Sequence, residues 1–296
     1  MVDPILKWAG GKRQLLDDIV SLFPKDYQDR AFHEPMFGGG AVTFHVGPSE
    51  GTINDIVPRL MIFYEVVRDN PEELIEESRK LEEEYGNNEK KYYEARDEFN
   101  KPIRGEKLDK VREASLLLYL NRTCFNGLYR ENSKGEFNVP FGDYSNPDFV
   151  REKQIRECSK ILKNLEILNE DFEYIIDKAK PGDLVYFDPP YQPVSETADF
   201  TQYAKEGFDF SEQERLRDTC VKLDKNDVFF VLSNSWAEPV RELYEEVEKF
   251  EVNQVSAKRD ISSKAETRGP VYEILVTNVS KELQRGKSQK KLASYG

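Results

Sequence analysis

The tetrapeptide Asp188-Pro189-Pro190-Tyr191 follows the apolar run Leu184-Val185-Tyr186-Phe187. Such a run reads as a buried strand, and α/β folds keep their sites at the C-terminal ends of such strands. Asp188 offers a carboxylate. The two prolines fix the backbone and remove two amide donors, so the carbonyl oxygens that remain are acceptors. Tyr191 adds a flat ring. An amine with two hydrogens needs two acceptors and a planar base needs a stacking surface; this tetrapeptide supplies both. A purely structural turn is the competing reading.

Upstream, Glu34-Pro35-Met36-Phe37-Gly38-Gly39-Gly40-Ala41 places a glycine-rich turn between a short strand and a helix, where a ligand can approach the backbone. It is neither of the usual dinucleotide or P-loop patterns, and a structural turn is its alternative. Asn54-Asp55 stands 15 residues past Gly40, at the end of the next strand. An acid there commonly accepts hydrogen bonds from ribose hydroxyls, with a helix cap as the rival role. Together, turn and acid favour a cofactor that contains a nucleoside. Lys7-Trp8-Ala9-Gly10-Gly11-Lys12 gains meaning only beside these three.

The elements that must carry these residues alternate. Residues 12–22, 40–46, 58–68, 155–162, 172–178 and 211–223 read as helices. Residues 31–37, 52–55, 165–168, 183–188, 228–233, 250–255 and 271–278 read as strands. This predicts one open, mostly parallel α/β sheet, interrupted over about 57–155 by a helical and loop insertion. From Pro71 to about Asn121 the pattern is helical and charged, with eleven acidic against five basic residues over 71–100, expected as a solvated face. Residues 122–149 are rich in Asn, Gly, Pro and aromatics, with a turn at Ser133-Lys134-Gly135-Glu136. The stretch 281–296 is basic and expected to be disordered.

The formal charge of −13 argues against a polyanion ligand only on average, because charge is uneven along the chain. Cys124, Cys158 and Cys220 suit a reducing compartment, and with only His33 and His45 no zinc site is expected. No secretory signal or spanning stretch is read, so a cytoplasmic, intracellular enzyme is expected.

In this order, KWAGGK, EPMFGGGAV, NDI and DPPY resemble the Dam family of S-adenosylmethionine-dependent DNA adenine methyltransferases over roughly residues 5–278. The segments Asn126–Arg130 and Gly135–Gly142 resemble that family's target-recognition segment. The resemblance implies a Rossmann-like sheet, with a catalytic domain formed by residues 1–56 and 156–280 and an inserted target-recognition domain at 57–155. It implies that Trp8, Lys12, Phe37, Gly38, Gly40, Asp55, Asp171 and Asp188 contact S-adenosylmethionine, which leaves as S-adenosylhomocysteine. Asp188, Pro189, Pro190 and Tyr191 become the catalytic residues. Leu128, Arg130, Pro140 and Tyr144 become readers of the site in double-stranded DNA, and Phe125 with Asn126 become wedges into the duplex. No metal is implied, and the source is prokaryotic or viral.

The implied chemistry is base flipping followed by direct methyl transfer to an adenine, within GATC. Arg130 suits a bidentate contact with guanine, a surface ion pair with Glu131 or Glu136 being its alternative. An N-4-cytosine methyltransferase and a non-catalytic DNA-binding module are the rival functions.

Overall fold

Helices and strands form where apolar periodicity and end chemistry agree. The computed structural model describes residues 2–145, 147–191, 208–257 and 271–287. In chain order these hold α1 (Leu16–Ser21), β1 (Phe32–Glu34), α2 (Ala41–Val46), β2 (Gly51–Asn54), α3 (Pro58–Asp69), α4 (Pro71–Tyr85), α5 (Glu89–Phe99), α6 (Lys110–Thr123), α7 (Glu152–Leu162) and β3 (Glu166–Leu168). They continue with α8 (Ile175–Lys178), β4 (Leu184–Phe187), α9 (Phe210–Lys225), β5 (Phe229–Ser235), α10 (Glu238–Glu245), β6 (Glu251–Ala257) and β7 (Val271–Thr277). The fold is α/β, Rossmann-like and mostly parallel in its strand pairs.

Packing divides the chain into two units, Met1–Gly11 with Phe37–Glu170 and Lys12–Met36 with Asp171–Gly296. These breaks differ from the expected ones at 56/57 and 155/156. The reason is apolar: Ile5, Phe37, Phe44 and Ile53 share one buried cluster with Leu60, Leu117 and Leu165, so the helical segment and the glycine turn belong to one core.

In the first unit, β2 and β3 pair in parallel, with Asn54 opposite Leu168. Helix α4 begins with Pro71, whose missing amide costs nothing at a helix start, and Glu72 and Glu73 sit in its positive first turn. Asp109 caps α6 by accepting from the Val111 and Arg112 amides. The acidic run is a solvated face, as expected, with nine of its eleven carboxylates exposed, and several of them are paired. Arg112 of α6 pairs with Glu77, Glu84 and Glu98, and Arg59 of α3 forms a buried pair with Glu113 at 2.9 Å.

In the second unit, the strand order is β1-β4-β5-β7-β6. Strands β1, β4 and β5 are parallel, and β7 runs antiparallel to both β5 and β6. All four residues of β4 are buried, as expected of an unbroken apolar run in a parallel strand. Asp209 caps α9, and Lys222 and Lys225 lie in its negative last turn.

Residues 13–15 form turns, so the helix expected from residue 12 begins only at Leu16. The disorder expected of 281–296 does not hold for Lys281–Lys287. There the Arg285 and Gly286 amides donate to the Phe23 and Ser21 carbonyls at the end of α1; residues 288–296 lie outside the described residues.

Candidate active site

Strand β4 ends at Phe187 and delivers Asp188 at its C-terminal edge. The carboxylate is bound on one side only. Its Oδ1 accepts from Lys12 Nζ at 2.8 Å and from Ser233 Oγ at 3.1 Å. Because Ser233 has one proton and gives it to Asp188, the Tyr186 hydroxyl, 2.9 Å away, must donate to Ser233. Asp188 Oδ2 has no partner among the described residues, nor has the Pro189 carbonyl, whereas the Pro190 carbonyl accepts from Gln213 Nε2 at 3.2 Å. Lys12 is 4% exposed and the Asp188 side chain 23%. Burial pushes the Asp188 carboxyl up from the ordinary carboxylate range, opposed by the charge and hydrogen bond of Lys12.

Tyr191 is held at both ends. The backbone before it is fixed by two prolines, and its hydroxyl donates to Glu273 Oε2 at 2.5 Å. Lys12 Nζ lies 4.4 Å from the ring centroid, over one face. Burial raises the phenol pKa well above its usual value, and the charges of Asp188 and Glu273 raise it further, so the hydroxyl stays a donor. Glu273 belongs to β7, in register with Ser235 of β5 and Val255 of β6. Burial raises its pKa too, against the nearby Lys12 charge.

The glycine turn is built in the first unit. Gly38 has φ +49°, and a Cβ there would lie 2.7 Å from Trp8 Cδ1. Only glycine lets the indole rest on this turn. The Gly38 amide donates to Asp55 Oδ2 at 2.8 Å, and the Val57 amide donates to Asp55 Oδ1 at 3.0 Å. The acid therefore ties the turn to the start of α3, and burial raises its pKa. Beside it, the Ile56 side chain is 69% exposed. Phe37 is buried against Phe44 and Tyr64, so its ring forms the floor of the turn, and the Gly40 amide donates back to the Phe37 carbonyl.

Trp8 also stacks on Tyr129, with centroids 5.4 Å apart and planes 25° from parallel. Next to it, Asn121 binds Lys7 twice: its Oδ1 accepts from the Lys7 amide and its Nδ2 donates to the Lys7 carbonyl, both at 2.8 Å. The same Nδ2 donates to the Gly127 carbonyl at 3.2 Å. Gly127 has φ +64°, and a Cβ there would lie 2.4 Å from the Lys7 side chain. Lys7 Nζ in turn lies 4.3 Å from the Tyr144 ring centroid.

From this anchor, residues 129–139 run out as a hairpin. The Asn138 amide donates to the Arg130 carbonyl, and the turn closes at Asn132–Glu136, where the sequence places it. Arg130 donates from Nε to Asn138 Oδ1 at 2.6 Å and makes no ion pair among the described residues. Glu131 is taken by Tyr129 and Glu136 by Arg104, so the expected alternative pairing is not formed. Phe125 and Leu128 are 51% and 37% exposed, unusual for large apolar side chains in a loop. Asn126 between them has a left-handed φ of +56°. Pro140 is exposed, and its carbonyl accepts from the Phe125 amide.

A family model for the D12 class N6 adenine-specific DNA methyltransferases matches residues 8–261. The chain belongs to that family. Among its relatives is the Type II methyltransferase M1.LlaDCHI of Lactococcus lactis subsp. cremoris, 43% identical over 277 residues, 93% of this chain and 95% of the relative. The Type II methyltransferase M.MjaIII of Methanocaldococcus jannaschii is 41% identical over 94% of this chain and 99% of its own length. The DNA adenine methylase of Escherichia coli (strain K12) is 36% identical over 91% and 93%. The protein is an adenine-specific DNA methyltransferase, as the resemblance implied.

Within one unit of this methyltransferase, Lys12, Asp188 and Tyr191 meet; within the other, Trp8, Phe37, Gly38, Gly40 and Asp55 meet beside the recognition segment. Lys12, expected at the cofactor, has its ammonium bound to Asp188. The Asp171 side chain is exposed, caps the turn at Phe172 and pairs with Arg215. Sequence reasoning missed Lys7, Asn121, Ser233 and Glu273. A carboxylate interrupting the apolar run Val271–Thr277, and an amide closing the apolar helix Lys110–Thr123, were the available signals.

Among the described residues, no helix is long and apolar enough to cross a membrane.

Proposed function

We propose that this methyltransferase modifies the adenine of GATC in double-stranded DNA, taking the base out of the stack and transferring a methyl group directly to its N6. The observation that carries the reading is the pair of unpartnered acceptors, Asp188 Oδ2 and the Pro189 carbonyl, next to the Tyr191 ring. An amine with two hydrogens can donate to both while its ring lies on the phenol. Its nitrogen lone pair, otherwise delocalised into the base, is then turned outward. Positioning and electrostatics supply the acceleration, because the aromatic amine is a weak nucleophile. As positive charge develops on N6, the Asp188 carboxylate stabilises it, and the surplus proton leaves along the hydrogen bond to Oδ2. No covalent intermediate with the chain is required.

Family membership implies S-adenosylmethionine as methyl donor; bound, it supplies a sulfonium methyl. The residues present fit a nucleoside. Asp55 takes the Gly38, Val57 and Ile56 amides among its roughly four acceptor positions and keeps one for a ribose hydroxyl, and the exposed Ile56 offers an apolar face to a purine. Trp8 and the turn at Gly38 would hold the methionine portion. Lys12 acts in this scheme by orienting Asp188, and Asp171 would need to release Arg215 to reach a ligand.

Specificity is assigned to the hairpin. Arg130 would choose a guanine by two parallel hydrogen bonds and Pro140 would meet a thymine methyl, while Tyr144 would stand beside Lys7 as a reader. The exposed Phe125 and Leu128, with Asn126, would fill the space the base leaves. Two relatives are named as Type II methyltransferases, which favours a place in restriction–modification.

The test is expression in a host without adenine methylation, followed by sequencing of methylated positions. N6-methyladenine confined to GATC supports the proposal; a different motif overturns the specificity.

A further inference from the structure

We propose that Glu273 is a positioning residue for methyl transfer, holding the Tyr191 ring in the orientation on which the target base stacks; this rests on the role proposed for Tyr191. Nothing in the chemistry of β7 calls for a carboxylate at this point. Its neighbours Ile274, Leu275 and Val276 are buried and apolar, and Glu273 lies between β5 and β6 in the pairing register. A half-buried carboxylate in a sheet is costly unless it is hydrogen-bonded. Its partner is the Tyr191 hydroxyl, 2.5 Å from Oε2.

The geometry gives that bond a purpose. Lys12 Nζ covers one face of the Tyr191 ring at 4.4 Å, so a stacked base has the opposite face only. A tyrosine swings about two side-chain torsions. The two prolines fix its backbone, and Glu273 fixes its far end from a strand paired on both sides. The ring plane is thereby set before the base arrives. A carboxylate suits the task because it accepts only, while the phenol remains a donor. Lys12 also balances both carboxylates, since its charge acts on Asp188 and on Glu273 alike.

The test is a double-substitution cycle in the full chain, with kcat and the KM for S-adenosylmethionine measured on one cognate duplex. Glu273→Ala should lower kcat about 10- to 100-fold, the effect of a reacting group held loosely, with KM for the methyl donor unchanged. Tyr191→Phe, which removes the same bond from the other side, should lower kcat to a similar extent. Glu273→Ala should add nothing in the Tyr191→Phe background. Glu273→Gln, which retains an acceptor, should recover most of the loss. An equal drop from Glu273→Ala in both backgrounds means that the residue only stabilises the sheet, and overturns the inference. So does wild-type kcat in Tyr191→Phe, which decides the matter even if Glu273→Ala does not fold. Tyr191→Ala separates the two levels. Wild-type turnover there overturns the stacking role itself, whereas strong loss there with full activity in Glu273→Ala overturns only the positioning role.

Discussion

Replacing Asp55 separates the structural role of its carboxylate from the ribose-binding role proposed for it. Its oxygens accept from the Gly38 amide at 2.8 Å and the Val57 amide at 3.0 Å. Asp55→Ala leaves both amides without an acceptor. An orphaned buried donor costs about 1–3 kcal/mol, and because both amides belong to half-buried residues that water partly reaches, the lower half of that range applies; the two together cost about 2–4 kcal/mol. That is a large part of a typical stability of about 5–15 kcal/mol. Asp55→Asn keeps one acceptor and turns an amide donor towards the other N–H, so it should cost about half as much. Urea unfolding measures this, with calorimetry of S-adenosylhomocysteine binding performed where each variant is folded. Stability and affinity should fall together in Asp55→Ala, affinity by about tenfold or more for the loss of a charged acceptor to ribose. Unchanged stability would refute the argument that Asp55 ties the glycine turn to α3. Lost stability with unchanged affinity would refute the ribose role and leave a helix-capping acid.

Two further predictions concern chemistry and reading. Burial raises the Asp188 pKa, and only the ionised form can stabilise charge on the amine and take its surplus proton, so kcat should fall on the acid side with an apparent pKa above the ordinary 3.8. Asp188→Asn should lower kcat by orders of magnitude at every pH and abolish that limb; a variant keeping the wild-type pH profile would remove Asp188 from the chemistry. Arg130→Ala should cost about 1–3 kcal/mol of discrimination at one guanine, measured by competition between single-base variants of the site, and leave cofactor affinity alone. Equal weakening on every sequence would make Arg130 a backbone contact.

Strand ends and turns were legible because local chemistry dictates them. Leu184–Phe187 is too apolar to be anything but buried, and Asn132–Glu136 closes where glycine and asparagine permit. Asp55 was legible as an acid at a strand end, but its hydrogen bonds to the Gly38 and Val57 amides were not, since ribose binding and capping ask for the same residue type. Long-range pairings were beyond reach. Glu273 meets Tyr191 only because β7 inserts antiparallel between β5 and β6, a topology that no local pattern encodes. Asn121 reaches Lys7 across 114 residues of sequence. For Arg130 the adjacent carboxylates left an ion pair open as the alternative, yet Tyr129 and Arg104 occupy them and leave Arg130 on an uncharged amide.

The net charge of −13 invites the inference that a polyanion is the wrong ligand, and the ion pairs show why that inference fails. Of the eleven acidic residues between 71 and 100, Glu72, Glu77, Glu84, Glu94, Asp97 and Glu98 are each bound to a lysine or arginine. Arg112 alone gathers three of them, from α4 and α5 onto α6. Those carboxylates brace helices against one another, and their field is offset within a few ångströms, well inside the roughly 8–10 Å over which salt screens exposed charge. Arg130 and Lys7 are held differently: neither forms an ion pair among the described residues, and the partners seen are an amide for one and an aromatic ring for the other. Formal charge counts both kinds alike. A phosphate or a guanine edge does not, because it meets only the cations that no carboxylate has already neutralised.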